Sequence, residues 1–336
     1  MRKNDLFFKK ISIIASVAAM SVSSLFVSGC LSDDVKVSQD VYTYDADSGP
    51  ETGSNLTELA ACIGDTNTVL DILLKNTYDE TAQKFILYIS GIDVWGWKDT
   101  TSRSDVNLLL AVDRTNGKIQ MVNTPRDSFV YLPNSGEMKD KLTHAGLYGV
   151  DSSKGALENL YGIKIDYYLK LNFSGFEKFV DTIGGIDVYS EQDFIVNPIK
   201  HYVNGINHLT GLESLAFVRE RKSFSDGDYQ RGRHQMEMAK AVIRALSSDK
   251  TLAKLDDYLD ELKDFYNTDM PDELIKSIAR TEMIKQRDWE FETFTTKGTG
   301  GSEITFSMPS QSVYVTVLNE SDVKEAGELL NNTVAR

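Results

Sequence analysis

KFILYIS (Lys84–Ser90), VNLLLAVD (Val106–Asp113) and KIQMVN (Lys118–Asn123) are the three runs on which the fold turns. Each is apolar almost without a break, the pattern of strands buried on both faces rather than one. RTNG (Arg114–Gly117) between the last two is a turn signal. Working outward, KIDYYLKLN (Lys164–Asn172) reads as a fourth strand and SGFEKFVDTI (Ser174–Ile183) as the helix after it. Asp187-Val188-Tyr189 suggests a short strand beyond the Gly184-Gly185 turn, and helical patterns cover 232–247, 252–266 and 271–285. QSVYVTVLN (Gln311–Asn319) alternates like a late strand, and DVKEAGELLNN (Asp322–Asn332) follows like a closing helix. The mixture predicts an α/β/α layered single domain around a central mixed, largely parallel sheet.

The chain of 336 residues is long enough for a sizeable core. Its 50 Asp and Glu against 36 Lys and Arg leave a net charge of −14, which argues against a nucleic-acid partner. Two cysteines exclude a disulfide framework. Residues 1–30 read as an export segment: Arg2, Lys3, Lys9 and Lys10 precede an apolar run from Ile11 to Val27. The run ends in Val27-Ser28-Gly29-Cys30, which resembles the lipobox of bacterial lipoproteins, where Cys30 would be diacylated. The competing reading is an uncleaved anchor, since about 17 apolar residues is the lower limit for a span. The lipoprotein reading is favoured, and both place the rest of the chain on the outer face of the cytoplasmic membrane.

Residues 31–58 carry seven acidic side chains against one lysine and read as a flexible tether. Apolar residues recur at helical spacing from Leu59 to Leu74, interrupted near Gly64, with Cys62 as a core thiol. The folded domain is therefore expected over 59–336, with its motifs concentrated in 84–246 and C-terminal helices and a strand over 250–336.

RERKSFSDGDYQRGRHQ (Arg219–Gln235) packs five basic and three acidic side chains into seventeen positions. LESLAFV before it reads as a short helix or a strand. Were the backbone extended at Arg219 and Arg221, both guanidiniums would leave one face. SFSDGDYQ reads as a loop with Asp226-Gly227-Asp228 as its turn, and from Arg231 the pattern is helical, with Gln235 one turn on. Three arginines and a glutamine could then converge, and forked, permanent cations suit a phosphate or diphosphate. The plainer reading is a solvated loop laced with surface ion pairs.

Four shorter motifs lie near strand ends. Asp93 of Gly91-Ile92-Asp93 follows the first strand, where open α/β sheets place ligands. Arg103-Ser104-Asp105 precedes the second strand, with Arg103 and Asp105 spaced to share a face. Thr124-Pro125-Arg126-Asp127 closes the third, Pro125 ending the ladder. Lys141-Leu142-Thr143-His144 follows. Singly, each reads as readily as a cap, a turn or a loop.

In series, these blocks resemble the LytR–CpsA–Psr proteins, bacterial enzymes that attach glycopolymers to the cell wall. The resemblance covers roughly Lys84 to Leu246: ISGID, SRSDVNLLLAVD, MVNTPRDSFVYLP, KLTHAGLYG, IDYYLKLNFSGFEKFVDTIGGIDV and HLTGLESLAFVRERKSFSDGDYQRGRHQ, in that order. It implies that Asp93 and Asp105 hold Mg²⁺, and that Arg103, Arg126, Arg219, Arg221 and Arg231, helped by Gln235, grip the diphosphate of a polyprenyl-diphosphate-linked glycan. Asp228 would orient Arg231 or act as a base, and Arg103, Arg126 and Asp228 would be the catalytic set. Hard carboxylate oxygens and forked cations agree with that chemistry. The family often has an arginine where Trp95 stands, and His234 replaces a more usual polar residue beside the glutamine. Trp95 and Trp97 read equally as an acceptor groove or a surface loop, and His144 as a supporting or a structural residue.

The implied function is transfer of a phosphoglycan from polyprenyl diphosphate to a peptidoglycan hydroxyl. The alternatives are a polyprenyl-diphosphate hydrolase and a non-catalytic wall-binding module of the same fold. Ser247-Ser248-Asp249-Lys250 fits a Ser-x-x-Lys pattern but lacks a Lys-Thr-Gly partner.

Overall fold

One aspartate closes the hairpin between the second and third apolar runs. Asp113 accepts from the backbone N–H groups of Thr115 (2.9 Å) and Asn116 (3.0 Å), and the Asn116 amide donates to its other oxygen at 2.7 Å. Gly117 leaves the turn at φ 70°, where a side chain would be strained. The turn joins β2 (Ser104–Asp113) to β3 (Lys118–Asn123) antiparallel. Lys84, at the start of β1 (Lys84–Ile92), pairs with the same carboxylate at 3.2 Å.

In a computed structural model of the chain, the described residues are 82–95, 101–247, 255–285 and 287–335. The export segment with Cys30, the acidic tether, the helical pattern over 59–74 with Cys62, and Trp97 lie outside them.

Six strands form the central sheet in the order β11–β6–β1–β2–β3–β12, where β6 is Tyr167–Asn172, β11 Tyr266–Thr268 and β12 Glu290–Thr295. β1 runs parallel to β6, and β3 to β12; the pairs β1–β2, β2–β3 and β6–β11 are antiparallel. The sheet is mixed, as expected, but not largely parallel. A four-residue turn cannot carry the crossover of a dozen or more residues that a parallel pair needs. The unbroken apolar runs reflect helical cover on both faces, which does not depend on strand direction.

That cover is present. On one face Ile86, Tyr88, Leu109, Ala111 and Val122 pack against α1 (Leu142–Ala145), α2 (Val150–Tyr161) and α8 (Glu320–Val334) through Leu142, Leu157, Ala326 and Leu330. On the other, Phe85, Leu108, Leu110 and Met121 pack with Met236 of α5 (Gly227–Leu246) and Ile278 of α7 (Asp272–Lys285). The layering is α/β/α. A satellite core joins α3 (Phe173–Thr182), α4 (Gly211–Arg219) and α5 to the hairpins β7–β10 (Ile186–Ser190, Gly205–Leu209) and β8–β9 (Phe194–Val196, Lys200–Tyr202).

Two local expectations change. LESLAFV is helical, capped by a reciprocal box: Thr210 N–H donates to Glu213 Oε2 at 2.9 Å and Glu213 N–H to Thr210 Oγ1 at 3.4 Å. Arg219 therefore ends a helix, and the extended pairing with Arg221 does not arise. α5 starts at Gly227, so Asp226-Gly227-Asp228 opens the helix instead of turning a loop. Asp228 and Arg231 consequently lie one helical turn apart. The short strands β4 (Phe129–Tyr131) and β5 (Lys139–Lys141), α6 (Leu255–Leu262) and the hairpin of β13 (Gly298–Thr305) with β14 (Met308–Leu318) complete the fold.

Candidate active site

β1 and β2 pair regularly from Lys84↔Asp113 to Gly91↔Val106, after which Ile92 pairs with Ser104. Asp105 is thus the extra residue of a β-bulge, which breaks the two-residue alternation and re-aims one side chain. Its Oδ2 meets Arg126 Nη1 at 2.6 Å, and its Oδ1 accepts from the Thr143 hydroxyl at 3.2 Å. Asp93 follows β1. Its N–H reaches the Arg103 carbonyl at 3.4 Å and its carboxylate stands 3.9 Å from Arg219 Nη2. Asp93 thus follows the end of β1, and Asp105 lies near the start of the neighbouring β2. Arg103 lies before the bulge, is exposed, and makes no ion pair among the described residues.

Arg126 sits in the loop that Pro125 starts after β3. The loop is held by its neighbours: Thr143 N–H donates to the Arg126 carbonyl at 2.8 Å, and Thr316 N–H of β14 to the Asp127 carbonyl at 2.8 Å. Asp127 Oδ1 accepts from Lys141 Nζ at 3.0 Å, while its Oδ2 stays 3.6 Å from Arg126 Nε. That Nε–H is buried and has no hydrogen-bond partner. Burial by itself would weaken the charge on Arg126, but Asp105, Asp127 and Asp228 outweigh it and hold the guanidinium more firmly protonated than usual.

α4 and α5 supply the remaining cations. The Arg219 guanidinium lies over the Phe173 ring at 4.3 Å, and Trp95 packs edge-on against the same ring at 5.5 Å. Asp228 Oδ1 stands 3.3 Å from Arg221 Nε and 3.0 Å from Arg231 Nη2. Gly232 lets α5 cross the end of β3 closely, since a Cβ there would sit 2.5 Å from Asn123 Oδ1. The approach allows the Asn123 amide to donate to Gln235 Oε1 at 3.2 Å. It also buries Arg231, which is 7% exposed and whose Nε–H finds no partner. Burial lowers the pKa of Arg231, the charges of Arg126 and Arg221 add to that, and Asp228 and Asp105 oppose it. Arg231 is thus paired with Asp228 while its Nε–H stays unpartnered.

The profile of the LytR_cpsA_psr family matches residues 56–328. The chain belongs to this family. It is 33% identical over 169 residues to the polyisoprenyl-teichoic acid–peptidoglycan teichoic acid transferase TagU of Bacillus mycoides (strain KBAB4), covering 50% of this chain and 55% of that protein. The chain therefore spans little more than half the length of that curated relative. The fold is similar to the crystal structure of B. subtilis TagV, with a TM-score of 0.63 and 25% identity over 75% of this chain and 97% of the other. It is also similar to the LytR-CPS2A-psr family protein YwtF (TagT) with bound octaprenyl pyrophosphate lipid, with a TM-score of 0.58 and 25% identity over 77% and 93%.

Within this LytR_cpsA_psr chain the structure draws Asp105, Arg126, Arg221, Asp228 and Arg231 into one electrostatic cluster. It pairs Asp93 with Arg219 and ties Gln235 to Asn123. Lys141, Thr143 and Asp127 join the cluster although no role was expected of them; the first two lay in the KLTH block already singled out. Nothing in the sequence marks Phe173 as the support of Arg219. His144 and His234 are held by local contacts. His144 Nδ1 meets the fully buried Asp140 at 2.7 Å. His234 stacks on Phe217 at 4.2 Å, its Nδ1 meets the Phe217 carbonyl at 3.1 Å, and burial pulls its pKa down to about 4, so it is neutral. Among the described residues no three His, Cys, Asp or Glu side chains converge. Mg²⁺ keeps several waters and takes substrate phosphate oxygens, so one or two carboxylates, as Asp93 and Asp105 would offer, fit its chemistry.

Proposed function

We propose that this chain is an extracytoplasmic phosphotransferase that moves a phosphoglycan from a polyprenyl-diphosphate carrier to a peptidoglycan hydroxyl. The observation that carries this reading is the buried Arg231, with a partnerless Nε–H, facing Arg126 and Arg221. Three neighbouring guanidiniums with a buried unpartnered donor would suit phosphate oxygens, which forked donors match. The names of its relatives and the lipid pyrophosphate bound in YwtF (TagT) support the same donor.

In this mechanism Arg126, Arg221 and Arg231 bind the non-bridging oxygens of the diphosphate, with Arg219 at the rim. The acceptor hydroxyl oxygen forms a bond to the sugar-linked phosphorus as the bridging P–O bond breaks, and the hydroxyl proton passes to solvent. Polyprenyl phosphate leaves with the bridging oxygen. The arginines stabilise negative charge that grows on this leaving group. Asp228, held between Arg221 and Arg231, orients both. Asp93 and Asp105 would hold Mg²⁺, which supplies further charge neutralisation at the diphosphate. Cys30 would tether the domain to the outer membrane face.

The test is incubation of the full-length chain, in detergent, with radiolabelled polyprenyl-diphosphate sugar, Mg²⁺ and peptidoglycan fragments. Label on peptidoglycan supports transfer. Label released as free sugar phosphate identifies a hydrolase, and intact donor a binding module.

A further inference from the structure

Both strands of the β13–β14 hairpin are fastened beside the charged cluster. Gly298, at the start of β13, donates its N–H to the Tyr229 hydroxyl at 3.0 Å, and that hydroxyl reaches the Gly298 carbonyl at 3.2 Å; Tyr229 follows Asp228 on α5. On β14, Thr316 N–H donates to the Asp127 carbonyl at 2.8 Å, and Thr316 bridges to Ser128. In the register of the hairpin, Gly300, Ser302 and Ile304 pair with Thr316, Tyr314 and Ser312, so these residues share one side of the ribbon. All but Thr316 are exposed. None of them is charged, although the chain carries a net charge of −14, and Glu303 falls on the opposite side.

Tyr314 is 57% exposed, and a single exposed aromatic needs no explanation by itself. This one is fixed in place. A Cβ on Gly300 would stand 3.0 Å from Tyr314 Cε2 and 3.1 Å from its Oη, so the ring lies across a glycine in the middle of β13. Glycine weakens a strand interior, but it lets the ring settle against the backbone. The Lys141 ammonium, 3.0 Å from Asp127, is 5.9 Å from the ring, which sets Tyr314 beside the loop of Arg126. We propose that this side of the hairpin is a saccharide subsite, in which Tyr314 stacks on a pyranose ring next to the reacting phosphorus. This rests on the diphosphate reading of the site. A pyranose presents C–H groups on its faces and hydroxyls around its rim. An aromatic face matches the first, and the small hydroxyl side chains of Ser302 and Ser312 match the second. The uncharged surface takes the neutral sugar, while the arginines take the phosphates. Both the donor glycan and the acceptor strand bring a pyranose to that position.

The experiment measures affinities of the full-length protein in detergent and Mg²⁺ buffer for three probes. They are geranylgeranyl diphosphate, the same lipid diphosphate carrying N-acetylglucosamine, and solubilised uncrosslinked peptidoglycan strands. Tyr314→Ala should leave geranylgeranyl diphosphate unaffected and weaken at least one saccharide probe about tenfold, the order expected for one lost stacking contact. Tyr314→Phe and Tyr314→Trp keep a flat ring and should bind like the parent protein, and all three variants should melt like it. A loss confined to the sugar diphosphate assigns the subsite to the donor glycan, and a loss confined to the strands assigns it to the acceptor. Saccharide affinities unchanged in Tyr314→Ala overturn the proposal, as does a parent protein that binds neither saccharide probe. An equal loss for geranylgeranyl diphosphate also overturns it, because Tyr314 would then be supporting the phosphate site. Strand binding that depends on Tyr314 in a protein without affinity for either diphosphate would uphold the subsite and refute the diphosphate reading.

Discussion

Arg126 Nη1 and Asp105 Oδ2 lie 2.6 Å apart, joining the loop after β3 to a bulge in β2. The contact couples the two kinds of group the proposed chemistry needs, a phosphate-gripping cation and a carboxylate suited to a metal. Removing Asp105 releases Arg126 from its strongest partner and, on the proposed reading, would take away half of the Mg²⁺ donor set. Asp105→Ala should reduce turnover by about 10²-fold or more, on the order of 3 kcal/mol in the barrier. The melt should fall by only a few degrees, because the residue lies outside the three apolar cores. Parental turnover in chelator-treated, Mg²⁺-restored buffer would refute the metal role.

Arg219 and Arg221 differ from Arg231 in exposure: their side chains are 52% and 41% exposed, against 9% for Arg231. Arg219→Lys and Arg221→Lys should each weaken the donor or its transition state by about one to two decades, the loss of one charge-assisted bond of about 1.5–3 kcal/mol. Lysine cannot reproduce the planar fork, nor stack as well on Phe173. Both variants should melt like the parent protein. Near-normal turnover in the double mutant would reduce the two arginines to surface ion pairs, typically worth less than about 1 kcal/mol.

Much of this was legible in the sequence. Unbroken apolar runs identified strands covered on both faces, and the order of six motif blocks identified the family. Strand direction was not legible, because helical cover buries parallel and antiparallel strands alike. The bulge at Asp105 escaped for a related reason: a one-residue register shift leaves the composition unchanged while altering which side chain is re-aimed. The start of α5 at Gly227 was hidden by an Asp-Gly-Asp stretch that reads as a turn wherever tertiary contacts do not select the helix. Short strands such as β4 and β9, of three residues each, carry too few positions for a periodic signal.

Acylation at Cys30 separates the two anchoring schemes. Cys30→Ala should abolish fatty-acid labelling and leave the precursor uncleaved on the membrane. Labelling that persists in the variant, or is absent from the parent protein, favours the plain anchor.

His234 should make the folded state acid-sensitive. Burial lowers its pKa from 6.5 to about 4 in the folded state. Between those values the unfolded chain binds a proton that the folded chain refuses, so stability falls as pH drops from about 6.5 towards 4. At pH 5 the loss is about 2 kcal/mol, from roughly 1.4 kcal/mol per unit. His234→Phe keeps the ring stack on Phe217 but leaves the Phe217 carbonyl unpaired, so it should start less stable at pH 7. The diagnostic quantity is the change in unfolding free energy between pH 7 and pH 5, which should shrink by about 2 kcal/mol in the variant. An equal change in both proteins would mean that His234 does not carry the acid sensitivity.

Gly232→Ala sets two effects of opposite sign against each other. Alanine favours a helix interior over glycine by about 1 kcal/mol. The new Cβ would however stand 2.5 Å from Asn123 Oδ1, and Asn123 is buried with its amide committed to Gln235. Either Asn123 turns away and leaves Gln235 Oε1 without that donor, or α5 lifts from the end of β3. Overpacking of this kind costs about 1–3 kcal/mol, so the net effect should be destabilising. The same displacement moves Arg231, the neighbour of Gly232 on α5, and should weaken donor binding more than the small loss of stability implies. Asn123→Ala in the same chain removes the clashing atom and should recover part of the melting temperature without restoring the Gln235 bond. A Gly232→Ala protein that melts higher than the parent and binds donor normally would show that the close crossing of α5 over β3 does not set the position of Arg231.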